Sequence, residues 1–152
     1  MDHTLFDQVK ITKLMNSTVG ASGTTDLESS ALDMTGYDGV LFLINWGAIT
    51  SGGVQSAYLE QCDTTGGSYA HLTGSRVTVA DSDDNKITAL NLWRPREEFI
   101  KVGIFRATQV STVESIVAIQ YKGDHKNPIT QGTTYVQGSV TLVSPAETTL
   151  SE

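Results

Sequence analysis

Several side chains in this sequence could do chemistry, and their spacing tests each possibility. Asp81-Ser82-Asp83-Asp84-Asn85 starts as a calcium loop does, with oxygen donors at alternating places. The match stops at once, because Lys86 stands where a glycine must make the sharp turn and Leu92 where a bidentate glutamate should close the shell. A solvated loop is the simpler expectation. His3, His71, His125 and the single Cys62 show no short ligand spacing to one another, and neither H-E-x-x-H nor C-x-x-C occurs. There is no G-x-S-x-G elbow, and Gly74-Ser75 falls in a turn with only His71 nearby. Glu97 and Glu98 follow Pro95 and precede an extended run, where strand alternation aims neighbouring carboxylates apart. Gly20-Ala21-Ser22-Gly23 opens no helix in a βαβ unit, so a phosphate cradle is not expected. These residues point away from an enzyme and away from a metal or cofactor.

A different constellation carries more weight. Trp93-Arg94-Pro95-Arg96 sets an aromatic ring and two guanidinium groups at the end of an extended run in an acidic chain. Trp and Arg are over-represented among interface hot spots, and Pro stiffens the segment so that less entropy is lost on docking. The alternative is that Trp93 is core and that Arg94 and Arg96 pair with Glu97 or Glu98; both readings stand at this point. Trp46 ends an apolar run and is expected in the core.

The elements that must position these groups read as short strands. Nowhere do apolar residues recur at helical spacing over three or more turns, so no long amphipathic helix is expected. Val9, Ile11 and Leu14 begin an alternating pattern, and residues 27–33 form a weak strand closed by the turn chemistry of Thr35-Gly36-Tyr37-Asp38-Gly39. Residues 40–46 are apolar on both faces, as suits a central strand covered on each side. Beyond Gly52-Gly53, residues 54–62 alternate with Ala57 and Leu59 on one face, and Cys62 sits in that run as a small hydrophobe. Further strands are predicted over 76–79, 87–93, 99–105 and 113–121, with Pro95 forcing a break. About eight strands at near-regular spacing predict an all-β sandwich or barrel.

Residues 127–146 carry no charge, yet Ile129, Tyr135, Val136, Val140, Leu142 and Val143 make them too apolar for an ordinary disordered tail. Those side chains are expected to be buried on the domain or on a neighbour, with Tyr135 and Val136 as interface residues. Residues 1–126 are therefore read as a β-sandwich domain with an N-terminal arm over about 1–20, and 127–152 as an extended C-terminal arm.

Composition bounds the partners. The 152 residues carry a formal net charge of −7, which repels a phosphate backbone and argues against nucleic acid. Residues 40–44 form the longest strictly apolar run, far short of the ~20 that cross a bilayer as a helix, and Met1-Asp2-His3-Thr4 has no basic leader. No membrane partner is expected, and synthesis is expected in the cytoplasm.

Three stretches together resemble a known pattern. They are Leu32-Asp33-Met34-Thr35-Gly36-Tyr37-Asp38-Gly39-Val40-Leu41-Phe42-Leu43, Gly47-Ala48-Ile49-Thr50 and Leu59-Glu60-Gln61-Cys62-Asp63. They are similar to small structural proteins of tailed bacteriophages, in which an aliphatic-Asp pair leads through a Gly-Tyr turn to a hydrophobic strand, a Gly-aliphatic turn and an acidic strand end. Phe99-Ile100-Lys101-Val102 is similar to an Arg-Tyr-Val-Arg strand of the same proteins, with Glu98-Phe99 where they have Arg-Tyr. The likeness spans about residues 26–106 and implies the head decoration, or capsid cement, family. It implies a jelly-roll-like antiparallel β-sandwich of about eight strands with extended terminal arms, seated on the outer surface of the virion. The implied partners are the major capsid protein and a second copy in a homodimer, with a trimer as the alternative; no catalytic residue is implied. A tail or head-fibre component is a second expectation. A carbohydrate-binding module, with Trp46, Trp93 or Tyr135 as a stacking platform, is a third.

Overall fold

A computed structural model describes residues 5–123. His3, His125 and the whole segment 124–152, with Ile129, Tyr135, Val136, Val140 and Leu142, lie outside the described residues. One helical turn, α1 (Leu5–Gln8), precedes ten strands: β1 (Val9–Met15), β2 (Leu27–Glu28), β3 (Leu32–Asp33), β4 (Tyr37–Ile49), β5 (Val54–Cys62), β6 (Ala70–His71), β7 (Val77–Val79), β8 (Ile87–Trp93), β9 (Phe99–Ala107) and β10 (Ser111–Gly123).

The strands form two antiparallel sheets. A four-stranded sheet runs β1-β10-β4-β8, and a six-stranded sheet runs β2-β9-β5-β6 with β3 also on β9 and β7 also on β5. Because β2 and β3 share β9 as partner, and β6 and β7 share β5, each pair behaves as one interrupted strand. Nested pairs result, β1 with β10, β2 and β3 with β9, β4 with β8, and β5 with β6 and β7, the wrapping of a jelly roll. The chain is an all-β sandwich.

Several elements depart from the expected strands for local reasons. Residues 27–33 are broken because Ser29 takes a main-chain place: its N–H donates to the Val102 carbonyl (2.9 Å) while its hydroxyl accepts from the Val102 N–H (3.0 Å). Within the segment expected as an N-terminal arm, Val9–Met15 is paired with β10 and belongs to the four-stranded sheet. β4 and β10 each run 13 residues, longer than their apolar runs, since each is paired on both sides. Residues 40–46 are central in the sheet, as expected, but only one face is core. Val40, Phe42, Ile44 and Trp46 point inward, whereas Leu41 and Leu43 lie half-buried on the outside of the sandwich.

Between the sheets, the inward residues of β4 meet Ile116 and Ala118 from β10, Leu90 from β8, Ala57 and Leu59 from β5, and Ile100, Val102 and Ile104 from β9. Trp46 is core, 2 % exposed, with its indole N–H donating to Thr88 Oγ1 at 2.9 Å. A charged side chain closes one end of this layer. Arg106, buried at the end of β9, donates from Nε to the Thr25 carbonyl (2.7 Å) and from Nη1 to the carbonyls of Ala21 and Ser111 (2.8 Å each). These bonds pin the Gly-rich stretch after β1 against the end of the sandwich. Burial pulls the Arg106 guanidinium below its ordinary value, with the Asp26 carboxylate opposing that shift.

Candidate functional site: an aromatic and cationic cluster on one outer face

Trp93, Gly39 and Tyr121 form one cross-strand row, since Gly39 of β4 is the register partner of Trp93 on β8 and of Tyr121 on β10. With no side chain at Gly39, the Tyr121 ring lies across its backbone, and any Cβ there would collide with the ring. Tyr121 thereby reaches β8, where its hydroxyl donates to Asn91 Oδ1 at 2.8 Å and its ring stacks on Trp93 with centroids 6.0 Å apart and planes 16° apart. Arg94 and Lys122 hold their cations 5.5 and 4.9 Å from the centre of the indole. Such placements are attractive because the ring face carries negative quadrupolar charge.

Both cations sit on unusual backbone. Arg94 has φ 49° and Lys122 φ 53°, left-handed conformations that disfavour a β-carbon. At Arg94 the turn is held by its N–H donating to the Asp38 carbonyl at 2.7 Å, the last rung between β8 and β4. Strain of this kind, of order 1–3 kcal/mol per residue, persists where surrounding structure enforces it and clusters at binding sites.

The two readings of Trp93-Arg94-Pro95-Arg96 now separate. Trp93 is 43 % exposed, so it is not core. Ion pairs join Lys86 to Asp83 (2.8 Å) and Lys101 to Glu28 (3.2 Å), whereas among the described residues neither Arg94 nor Arg96 pairs with Glu97 or Glu98. Instead, Arg94 and Arg96 share a groove of about 490 Å³ with Asp38, Glu97 and Glu98. Glu98 accepts from the Thr35 hydroxyl at 3.0 Å.

From this cluster the outside of the four-stranded sheet continues as apolar surface. Ile119, Leu41 and Asn91 form the next row, and Val117, Leu43 and Ala89 the one after. Leu41, Leu43, Val117 and Ile119 are half-buried, while Ala89 and Ile87 are exposed.

The other candidates serve the fold. Asp81 Oδ2 accepts from the Gly52 N–H (2.7 Å) and holds the turn between β4 and β5, Asp83 bonds Lys86 and the Ala80 N–H, and Asp84 accepts from the Asn85 amide. Ser75 bonds the backbone of Leu59, its hydroxyl accepting from the N–H at 3.0 Å, and His71 packs against the Tyr58 ring at 5.2 Å. Cys62 is a buried free thiol. Sequence reasoning missed Tyr121, Lys122, Asn91 and Gly39 as members of the cluster. An aromatic and a lysine closing an alternating run were visible, but only cross-strand register brings them to Trp93.

No protein-family model matches the chain, and no curated protein is significantly similar to it.

Proposed function

We propose that this protein is a virion structural protein that binds the outer surface of a tailed-phage capsid and stabilises it, a decoration or cement protein acting by adhesion and not by catalysis. The observation that carries the reading is the outside of the four-stranded sheet. A half-exposed apolar floor built from Leu41, Leu43, Val117 and Ile119 ends in a Trp–Tyr stack flanked by Arg94 and Lys122. Trp, Tyr and Arg over an apolar centre match the composition of interface hot spots. The major capsid protein is the partner. The uncharged segment 127–146, with Ile129, Tyr135, Val136, Val140 and Leu142, adds contact with a neighbouring subunit, and a repeating lattice multiplies each contact through avidity.

The test is co-sedimentation of the purified chain with expanded phage heads that lack it, alongside a glycan array. Saturable binding to heads without binding to sugars, and added surface density by cryo-electron microscopy, is the expected outcome. An unchanged shell, with the protein left in the supernatant, would overturn the reading.

A further inference from the structure

The same sheet ends in an edge with unusual properties. Among the described residues, β8 is its outermost strand beyond β4. Arg94 N–H to Asp38 carbonyl (2.7 Å) and Trp46 N–H to Lys86 carbonyl (2.9 Å) mark hydrogen-bonded rungs at the two ends of the β4–β8 ladder, whose register is continuous between them. Alternation then assigns Thr88, Leu90 and Leu92 to β4. It directs the N–H and C=O groups of Ile87, Ala89, Asn91 and Trp93 away from the sheet.

Exposed edges are normally guarded by charge, proline or a bulge. β8 has none of these, since Ile87-Thr88-Ala89-Leu90-Asn91-Leu92-Trp93 contains no charged residue and no proline and shows no register shift. It also bears two of the larger exposed apolar side chains among the described residues, Ile87 at 60 % and Trp93 at 43 %.

We propose that β8 pairs antiparallel with β8 of a second copy about a twofold axis at Leu90, so that the four-stranded sheets of two subunits become one continuous sheet. In this register Ile87 stands opposite Trp93 of the partner subunit, and Ala89 opposite Asn91 of the partner subunit. The outward-directed residues thus become reciprocal hydrogen-bonded pairs, and the exposed isoleucine packs beside the exposed indole, leaving the outer face of the ring open. Charge supports the same orientation. Asp81, Asp83 and Asp84 precede the strand and Arg94 directly follows it, with Arg96 set among Asp38, Glu97 and Glu98, so antiparallel pairing brings the aspartates of each copy toward Arg94 of the other, twice. Lys86, the exception at the acidic end, is tied to Asp83 at 2.8 Å. The pairing stands independently of capsid binding.

Sedimentation equilibrium of the full chain from about 1 to 200 µM, with amide hydrogen exchange across the same range, tests it, because a small interface is expected to associate weakly. The expected result is a concentration-dependent dimer in which the amides of Ala89, Asn91 and Trp93 gain protection with concentration, while those of Thr88, Leu90 and Leu92 are protected throughout. Ala89→Pro removes an N–H that β4 does not use and is expected to weaken dimerisation at least about tenfold with an unchanged circular dichroism spectrum. Ile87→Lys, at an exposed position, brings a cation toward Arg94 and Lys122 of the partner subunit and is expected to do the same. It keeps the test decisive if the proline variant unfolds. A monomer at every concentration, a trimer, a dimer untouched by Ile87→Lys, or one whose outward amides exchange freely overturns the proposal. Head binding is scored separately: a monomer that binds heads defeats only this pairing, and a dimer that ignores heads defeats only the capsid reading.

Discussion

Tyr121 lies across Gly39 on the outside of the four-stranded sheet, and Tyr58 lies across Gly103 on the outside of the six-stranded sheet, each pair being direct cross-strand partners. What surrounds the two tyrosines differs. Around Tyr58 the surface is charged: Arg76 stands over both Tyr58 (5.4 Å) and Phe105 (5.5 Å), Lys101 lies over Tyr69 (4.2 Å) and pairs with Glu28, and Glu60 sits beside them. Around Tyr121 two cations stand over Trp93, and the centre of the face is aliphatic, with Lys13, Asn91 and the Asn45–Ser115 pair at its margins. Nearly the same local device therefore sits in a charged face on one side of the sandwich and in a more apolar one on the other. The difference lies in what alternates with the core residues. β4 and β10 place Leu, Val and Ile at outward positions, whereas β5 and β9 place Tyr, Glu, Lys and Phe there.

That contrast can be broken from either side. The largest effect is expected for the two glycines. Gly39→Ala or Gly103→Ala pushes the covering tyrosine off its strand, and each is expected to lower stability by about 1–3 kcal/mol in denaturant titration. Only Gly39→Ala, which unstacks Trp93, should also weaken binding to expanded heads. Next comes Trp93→Ala, expected to reduce head affinity by about 2 kcal/mol, or roughly thirtyfold, with little change in melting temperature, while Tyr58→Ala leaves head affinity unaltered. Equal losses from both would remove the distinction between the faces.

Smaller still is the effect of Arg94→Gly, which relieves a positive φ while deleting a cation from the indole. Stability is expected to change by less than about 1 kcal/mol, because relief of strain and the added freedom of the unfolded chain oppose each other, while head binding falls. The smallest belongs to the charged face. Burial, followed by the nearby Glu28 carboxylate, raises the Glu60 carboxyl above its ordinary value, with Lys101 and His71 opposing. A raised acid favours folding when protonated, so that contribution is present below the ordinary glutamate range and is lost as pH rises through the shifted value. Glu60→Gln is therefore expected to stabilise near neutral pH by about 0.5 kcal/mol or less, after solvent screening, with the gain disappearing in acid. Melting curves across pH 3–8 (about that range) measure it.

How far the sequence could be read follows from how local each signal is. Alternation at 87–93 and 54–62 and the apolar run at 40–46 depend on neighbours in the chain, so those strands were legible, as was Trp46 as core. The break at Ser29 and the two-residue β6 were not, because each depends on a partner strand far away in sequence. Trp93 and Arg94 could be singled out by type alone. Whether Trp93 faced the core or the solvent could not, since one residue of register moves a strand's whole set of side chains to the opposite face.

By itself, then, the order of residues determined that the chain would be built from short strands, where most of them would lie, and that its long apolar run would anchor the core. Tertiary structure alone decided which pairs nest into a jelly roll, that Gly39 would be the gap through which Tyr121 reaches Trp93, and that aliphatic residues on β4 and β10 would fall on the outside of a sheet. The physical reason is that side-chain alternation is a property of one strand, whereas a surface is made by the register among several, which is set when the strands pair.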